Sequence, residues 1–328
     1  MTAHPRIPSP LTPVDDERFA RRGVRLLLKR DDLIHPDLVG NKWRKLLPNL
    51  AAARGRALVT FGGAYSNHLR ATAAAGRLLG LPTIGVVRGH ELAERPLNAS
   101  LTRCAADGMR LHFVDRTTYR RKTHPDVLAT LLRELDVADA CVIPEGGSNA
   151  QAVRGCVALG QELRGQADVV AVACGTGGTL AGLAAGLDSS QRALGVPVLK
   201  GDFLNAEIRT LQEAAFGGPR GTWWLDERFH FGGYARTDAT LEDFAEDFEN
   251  RHRQHDVPDA LCPSSSPSPS PSPELRIERL YVAKLLYGLV TLTEEDAFAP
   301  GTTVAAVITG RPFPDEDRAP AQAQVASR

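Results

Sequence analysis

The chain lacks most of what would direct it to a membrane, a nucleic acid or an oxidising compartment. Its 328 residues hold no apolar run of membrane-spanning length. The Pro-rich first thirteen residues have no apolar core of the kind an export signal needs. Basic and acidic residues number 39 each, so the formal net charge is zero. No basic stripe with interleaved aromatics occurs, and nucleic acid is therefore not an expected partner. The five cysteines, at 104, 141, 156, 174 and 262, are odd in number and form no CxxC pair. That argues against a disulfide framework or a zinc site and for a reducing cytoplasm. Cys141 and Cys174 fall in apolar, strand-like runs and read as buried structural thiols. Neither a GxGxxG spacing nor the Lys-Ser/Thr ending of a P-loop is present, which argues against dinucleotide or nucleoside triphosphate use.

What is present is a globular composition, 43% hydrophobic and 24% charged, long enough for one large or two medium domains. Short apolar runs alternate with helical patterns. Strands are predicted over 24–29, 57–61, 83–87, 110–114, 141–143, 169–174 and 303–308. Helices are predicted from about 46 and over 69–79, 96–106, 126–135, 149–163, 180–187 and 241–252. This alternation, with Gly-rich strand ends, predicts an α/β protein with parallel sheets covered by helices. Ligands then bind at the carboxyl ends of the strands. Residues 263–273 (PSSSPSPSPSP) are low-complexity and cannot build a core, so an exposed loop insertion is expected there. A loose tail is expected after Pro314.

Four junctions carry chemistry. In GNKWRK, Lys42 sits where a loop enters a helix, behind Gly40 and Asn41, two residues suited to an unusual turn or cap. A cation there meets the positive end of the helix dipole, and Arg44 and Lys45 are close by. Both effects are expected to lower the Lys42 pKa and favour the neutral, nucleophilic amine that Schiff-base chemistry needs. In FGGAYSNH, two glycines precede Ser66, Asn67 and His68 at a helix start, a combination suited to a carboxylate or to simple capping. The most specific motif follows the strand at 169–174: Gly175, Thr176, Gly177, Gly178 and Thr179 offer backbone amides, hydroxyls and a helix dipole to a phosphate. The last is Thr309, at the end of the closing strand, where a hydroxyl can bond a ring nitrogen. A reactive lysine, a carboxylate pocket, a phosphate cradle and a ring-nitrogen partner are the inventory for pyridoxal phosphate acting on an amino acid.

From about residue 24 to 311 the chain resembles the D-cysteine desulfhydrase/1-aminocyclopropane-1-carboxylate deaminase family, within the tryptophan-synthase-β-like, fold type II pyridoxal phosphate enzymes. The likeness rests on LLLKRDDL, GNKWRK, FGGAYSNHLRATAAAG, IPEGGSN, VACGTGGTLAG, GGY, LYVAKLLYGL and VITG, in that order. It implies that Lys42 carries the cofactor and moves the substrate's α-proton. Lys45 matches a lysine near the phosphate, residues 175–179 the phosphate loop, and Asn67 the asparagine beside the cofactor's ring hydroxyl. Ser66 and His68, with Asn67, match positions facing the substrate carboxylate. Tyr234 and Tyr281 match two active-site tyrosines, whose pKa nearby cations are expected to lower.

Two positions depart from the family pattern. Val282 stands where the desulfhydrases have threonine and the deaminases glutamate, which leaves Thr309 as ring-nitrogen partner. Tyr65 stands where glutamine is usual, whereas His68 follows the desulfhydrases. The resemblance thus implies a β-eliminating lyase for a small amino acid, most simply D-cysteine to pyruvate, sulfide and ammonia. The ring-opening deaminase, or a cofactor-binding protein without turnover, is the alternative. It further implies a homodimer with a large domain (residues 1–45 and 161–328), a small one (46–160), and an active site in the cleft between them.

Overall fold

The computed structural model describes residues 4–38, 40–253 and 275–312. The Ser-Pro insertion at 263–273, Cys262 and the tail after Pro314 lie outside them. The chain opens with β1 (Leu11–Val14), α1 (Glu17–Ala20), β2 (Arg25–Lys29) and α2 (Lys42–Ala53). Next come β3 (Leu58–Gly62), α3 (Asn67–Leu79), β4 (Thr83–Arg88), α4 (Ala99–Ala106) and β5 (Met109–Val114). These are followed by α5 (Arg116–Arg120), α6 (Pro125–Glu134), β6 (Cys141–Ile143), α7 (Ala150–Glu162), β7 (Val169–Cys174) and α8 (Gly178–Gly186). The chain continues through β8 (Arg192–Pro197), α9 (Leu204–Phe216), β9 (Trp223–Leu225), α10 (Ala239–Arg251), α11 (Val282–Glu294) and β10 (Thr303–Val307).

The strands form a six-stranded sheet, β1-β2-β10-β7-β8-β9, and a four-stranded sheet, β5-β4-β3-β6. All pairings are parallel except β1 with β2. The chain leaves the larger sheet after β2, builds the smaller one, and returns at β7. Because all strands but β1 run alike within their sheet, the loops after β3, β6, β7 and β10 open at strand carboxyl ends. No described helix is long and apolar enough to cross a membrane.

Local chemistry explains where the helices begin. The side chains of Ser66, Asn98, Asp115, Asn149 and Asp238 each accept a first-turn backbone N–H, starting α3, α4, α5, α7 and α10. The Asn98 cap places the start of α4 at Ala99, three residues after the start expected from the sequence. Helix α8 is apolar all round because it has no wet face. Its Gly182 and Gly186, with Gly160 of α7, let the two helix backbones touch: a Cβ on Gly182 would lie 2.2 Å from the Val153 carbonyl oxygen. Gly155 likewise admits α2, a Cβ there falling 2.1 Å from the Arg44 carbonyl oxygen. Helix α2, which carries Lys42, is thereby held at backbone distance from α7, and α7 from α8.

The sequence pattern did not reveal β1, β8, β9, α1, α5, α9 or α11. In strand β8 (RALGVP), Gly195 is there for packing: a Cβ would sit 2.5 Å from Leu180 Cδ2 and 2.6 Å from Leu225 Cδ2. Cys174 is buried as expected, but Cys141 is only half-buried.

Candidate active site

Lys42 is the first residue of α2, as the loop-to-helix reading required. Gly40 makes the turn at φ +75°, and a Cβ on it would lie 1.7 Å from the Thr309 carbonyl oxygen, so only glycine lets the loop touch the end of β10. That oxygen also accepts the Asn41 N–H at 3.3 Å. Asn41 does not cap the helix. Its Nδ2 donates to Thr179 Oγ1 at 2.9 Å and its Oδ1 accepts from Lys42 Nζ at 3.3 Å, so one amide joins the lysine to the 175–179 loop.

The Lys42 pKa is lowered, chiefly by burial, which Cys156 and Glu278 offset only in part. The expected contribution of Arg44 is absent, because Arg44 turns away and its charge is matched. Its guanidinium makes paired bonds to Asp31 (2.8 and 2.9 Å) and to Glu162 (2.8 and 2.9 Å), and Lys29 Nζ reaches Glu162 at 2.6 Å. Arg44, Asp31 and Lys29 are buried and Glu162 is partly so, and together they lock the first turn of α2 onto the end of β2 and onto α7.

The 175–179 loop carries the features of an anion cradle. Gly177 has φ +74°, and no side chain caps the first turn of α8, whose amides are therefore left for a ligand. Above Gly178 stand Ser148 and Lys45; a Cβ on this glycine would be 2.8 Å from Ser148 Oγ and 3.3 Å from Lys45 Cε. Lys45 Nζ donates to Ser148 Oγ (2.6 Å) and to the Gly146 carbonyl oxygen (2.8 Å), and Ser148 also bonds Thr176. Burial and the neighbouring Lys42 pull the Lys45 pKa down to about 7.

On the facing wall, Ser66 Oγ caps α3 by accepting the Leu69 N–H at 3.2 Å. Asn67 Oδ1 is taken by Arg70, which leaves its NH2 to donate. His68 is buried, and its Nε2 edge is turned to Thr60 of β3. Thr60 gives its one hydroxyl hydrogen to the Ile143 carbonyl oxygen (2.8 Å), so His68 Nε2, 2.7 Å away, must be the protonated nitrogen. Burial, together with Lys42 and Lys45, holds the His68 pKa well below its ordinary value, so the ring is neutral.

Tyr281 precedes α11, and its ring meets Tyr234 edge-on with centroids 6.1 Å apart. Its hydroxyl lies over Gly175, 3.2 Å from where a Cβ would be. The expected pKa lowering is reversed: burial, then Tyr234 and Glu278, push Tyr281 well above the ordinary tyrosine range. The sequence suggested nearby cations, but the groups that face Tyr281 are a second phenol and a carboxylate. Neither departing residue is among those that line the cavity. Tyr65 is 53% exposed and does not line the cavity. Val282 is fully buried in the core around the larger sheet.

Lys42, Lys45, Ser66, Asn67, His68, residues 175–179, Tyr234, Tyr281 and Thr309 all line one cavity of about 820 Å³, between the carboxyl ends of the two sheets. Sequence reasoning missed Asn41, Ser148 and Glu278. Ser148 lies in the IPEGGSN motif, which was a signal for it. Glu278 accepts backbone N–H groups of Leu280, Tyr281 and Val282 at 2.8, 2.7 and 3.3 Å, and so sets the start of α11.

Residues 4–213 match the family described as pyridoxal-phosphate dependent enzyme. The chain belongs to that family. Among curated relatives, it is 34% identical over 182 residues to a mitochondrial bifunctional D-cysteine desulfhydrase/1-aminocyclopropane-1-carboxylate deaminase of Arabidopsis thaliana, covering 50% of this chain and 45% of that one. It is also 34% identical over 212 residues to a D-cysteine desulfhydrase of Yersinia pestis, covering 58% and 62%. The match thus spans about half to three-fifths of those relatives' length. Among solved structures, a 1-aminocyclopropane-1-carboxylate deaminase homologue superposes with TM-score 0.72 at 24% identity, over 94% of this chain and 92% of that one. A threonine deaminase superposes with TM-score 0.60 at 19% identity, over 93% of each chain. The fold is that of the fold type II enzymes.

The residues present fit pyridoxal phosphate. An uncapped helix start with Lys45 above it suits the phosphate, and a lysine whose charge is disfavoured lies in the same cavity. In a pyridoxal-phosphate-dependent enzyme these two requirements must be met together.

Proposed function

We propose that the protein is a pyridoxal-phosphate-dependent lyase that removes a β-substituent from a small amino acid, most simply converting D-cysteine and water to pyruvate, hydrogen sulfide and ammonia. The observation that carries this reading is the placement of Lys42, with its lowered pKa, in one cavity with the anion cradle and the Tyr234–Tyr281 pair. Lys42 would carry the cofactor, residues 175–179 with Lys45 and Ser148 its phosphate, Asn67 its ring hydroxyl and Thr309 its ring nitrogen. The bound cofactor supplies an electron-withdrawing ring that stabilises negative charge at the substrate's Cα.

The chain's own groups do the rest. The α3 start, with Ser66 and Asn67, orients the substrate carboxylate. Lys42 Nζ removes the α-proton, a task for a neutral amine. Tyr281, with its raised pKa, stays a phenol and can protonate the departing sulfur. Enclosure between the two sheets limits access of water to the reacting atoms. Val282 in the core leaves no carboxylate at the deaminase position, which favours elimination of a good leaving group over ring opening. The division into a large and a small domain, a cytoplasmic location and a homodimer belong to the same proposal. The two sheets and the four unpaired described cysteines support the first two, and the family resemblance supports the third.

Pyruvate release from D-cysteine, with L-cysteine in parallel, tests the reading on purified, cofactor-loaded protein. Faster release from the D-form is expected, and Lys42→Ala should abolish it. No pyruvate from either, with 2-oxobutyrate from 1-aminocyclopropane-1-carboxylate, would move the assignment to the deaminase. No product from any small amino acid would leave a cofactor-binding protein without turnover.

A further inference from the structure

We propose that Lys284 is the positioning residue that sets Tyr234 over the active-site cavity. This rests on the reading of Tyr234 as an active-site residue. Lys284 is fully buried in the first turn of α11. Among the described residues its Nζ makes no ion pair. It donates instead to the carbonyl oxygens of His230 and Gly233, at 2.9 Å each. A buried lysine that spends its hydrogens on two backbone carbonyls fixes the path of the chain between them.

That path needs fixing. Phe231, Gly232, Gly233 and Ala235 have φ of +50°, +84°, +122° and +55°, so the segment around Tyr234 is almost wholly left-handed, twice at non-glycine residues. Such backbone is disfavoured and persists only when its surroundings enforce it. Within the segment, the Gly233 N–H returns to the His230 carbonyl (3.0 Å) and the Gly232 N–H to His230 Nδ1 (2.9 Å). Neither bond reaches another element. The ties to α11 are Lys284 and, one turn on, Tyr287, which holds Phe231 edge-on at 5.0 Å. Tyr281, just before the same helix, touches Tyr234. Helix α11 therefore sets both phenols, Tyr281 by its own backbone and Tyr234 through Lys284.

The test is Lys284→Met, unbranched and one atom shorter but without donors, with Lys284→Gln as a milder variant should the first not fold. Two readouts separate this proposal from the reading beneath it. Amide hydrogen exchange should speed up by about tenfold or more across residues 230–236, with the α11 amides unchanged, because two charge-assisted bonds are lost. In steady-state elimination at equal cofactor loading, Lys284→Met should lower kcat as Tyr234→Phe does, with little change in KM. The double variant should be no slower than the slower single one. Unchanged loop exchange would overturn the clamp. Multiplying kinetic losses would show that Lys284 acts other than through Tyr234 and would also overturn it. If loop exchange rises while Tyr234→Phe keeps full kcat, the clamp stands and the active-site reading of Tyr234 fails.

Discussion

Arg44→Met should cost the fold about 3–5 kcal/mol, the penalty for stripping one partner from a buried ion pair. Arg44 is 3% exposed and Asp31 0%. The arginine's two pairs of bonds leave few alternatives when it goes. Asp31 would keep the Ser9 hydroxyl at 2.7 Å, a neutral donor, and Glu162 would keep Lys29 at 2.6 Å. Two carboxylates would then share one cation in a largely buried site. The present balance is visible in the titration of the groups. Burial pulls the Arg44 pKa down, but hydrogen bonds to Asp31 and Glu162 more than offset it and hold the group above its usual value. Burial pushes Glu162 up, but Arg44 and Lys29 hold it below the usual carboxylate range. Urea unfolding of the cofactor-free protein measures the loss. Arg44→Met with Asp31→Asn should recover part of it, since the amide removes the uncompensated charge, and the cycle gives the coupling. A loss below about 1 kcal/mol, the range of solvated surface pairs, would refute the reasoning.

Lys45 should make anion binding pH-dependent in a defined direction. With its pKa near 7 in the free protein, it is charged below that pH and neutral above it, and a bound anion restores the proton. Sulfate, whose charge is constant over this range, should bind more weakly from pH 6 to 9 and take up protons at pH 8. Lys45→Gln should flatten the profile, and a flat wild-type profile would contradict the cause given. Gly178→Ala should weaken sulfate binding, because its Cβ would meet Ser148 Oγ at 2.8 Å and push it and Lys45 from the cradle. Calorimetric titration decides, and affinity equal to wild type would mean the anion sits elsewhere.

What could be read along the chain was what is local. Strand and helix alternation, Gly177 before α8, and Lys42 at the start of α2 are patterns within a few residues, and the structure keeps them. The parallel sheets then placed all the junctions at strand carboxyl ends, which is why one cavity gathers residues from 42 to 309. Where the sequence misled, charge was counted by proximity in the chain. Arg44 is two residues from Lys42, yet it faces Asp31 and Glu162. The tyrosines were assigned cationic neighbours, yet Tyr281 faces Tyr234 and Glu278.

The sequence by itself determined the secondary-structure alternation, the cofactor class and many, though not all, of the residues that line the site, because each depends on spacing and side-chain type. Only the tertiary structure decided their protonation and orientation. Lys45 meets Ser148 across 103 residues, Asn41 meets Thr179 across 138, and Lys284 meets Gly233 across 51. Burial and partner identity set a pKa or a hydrogen bond, and both arise only when the chain closes on itself.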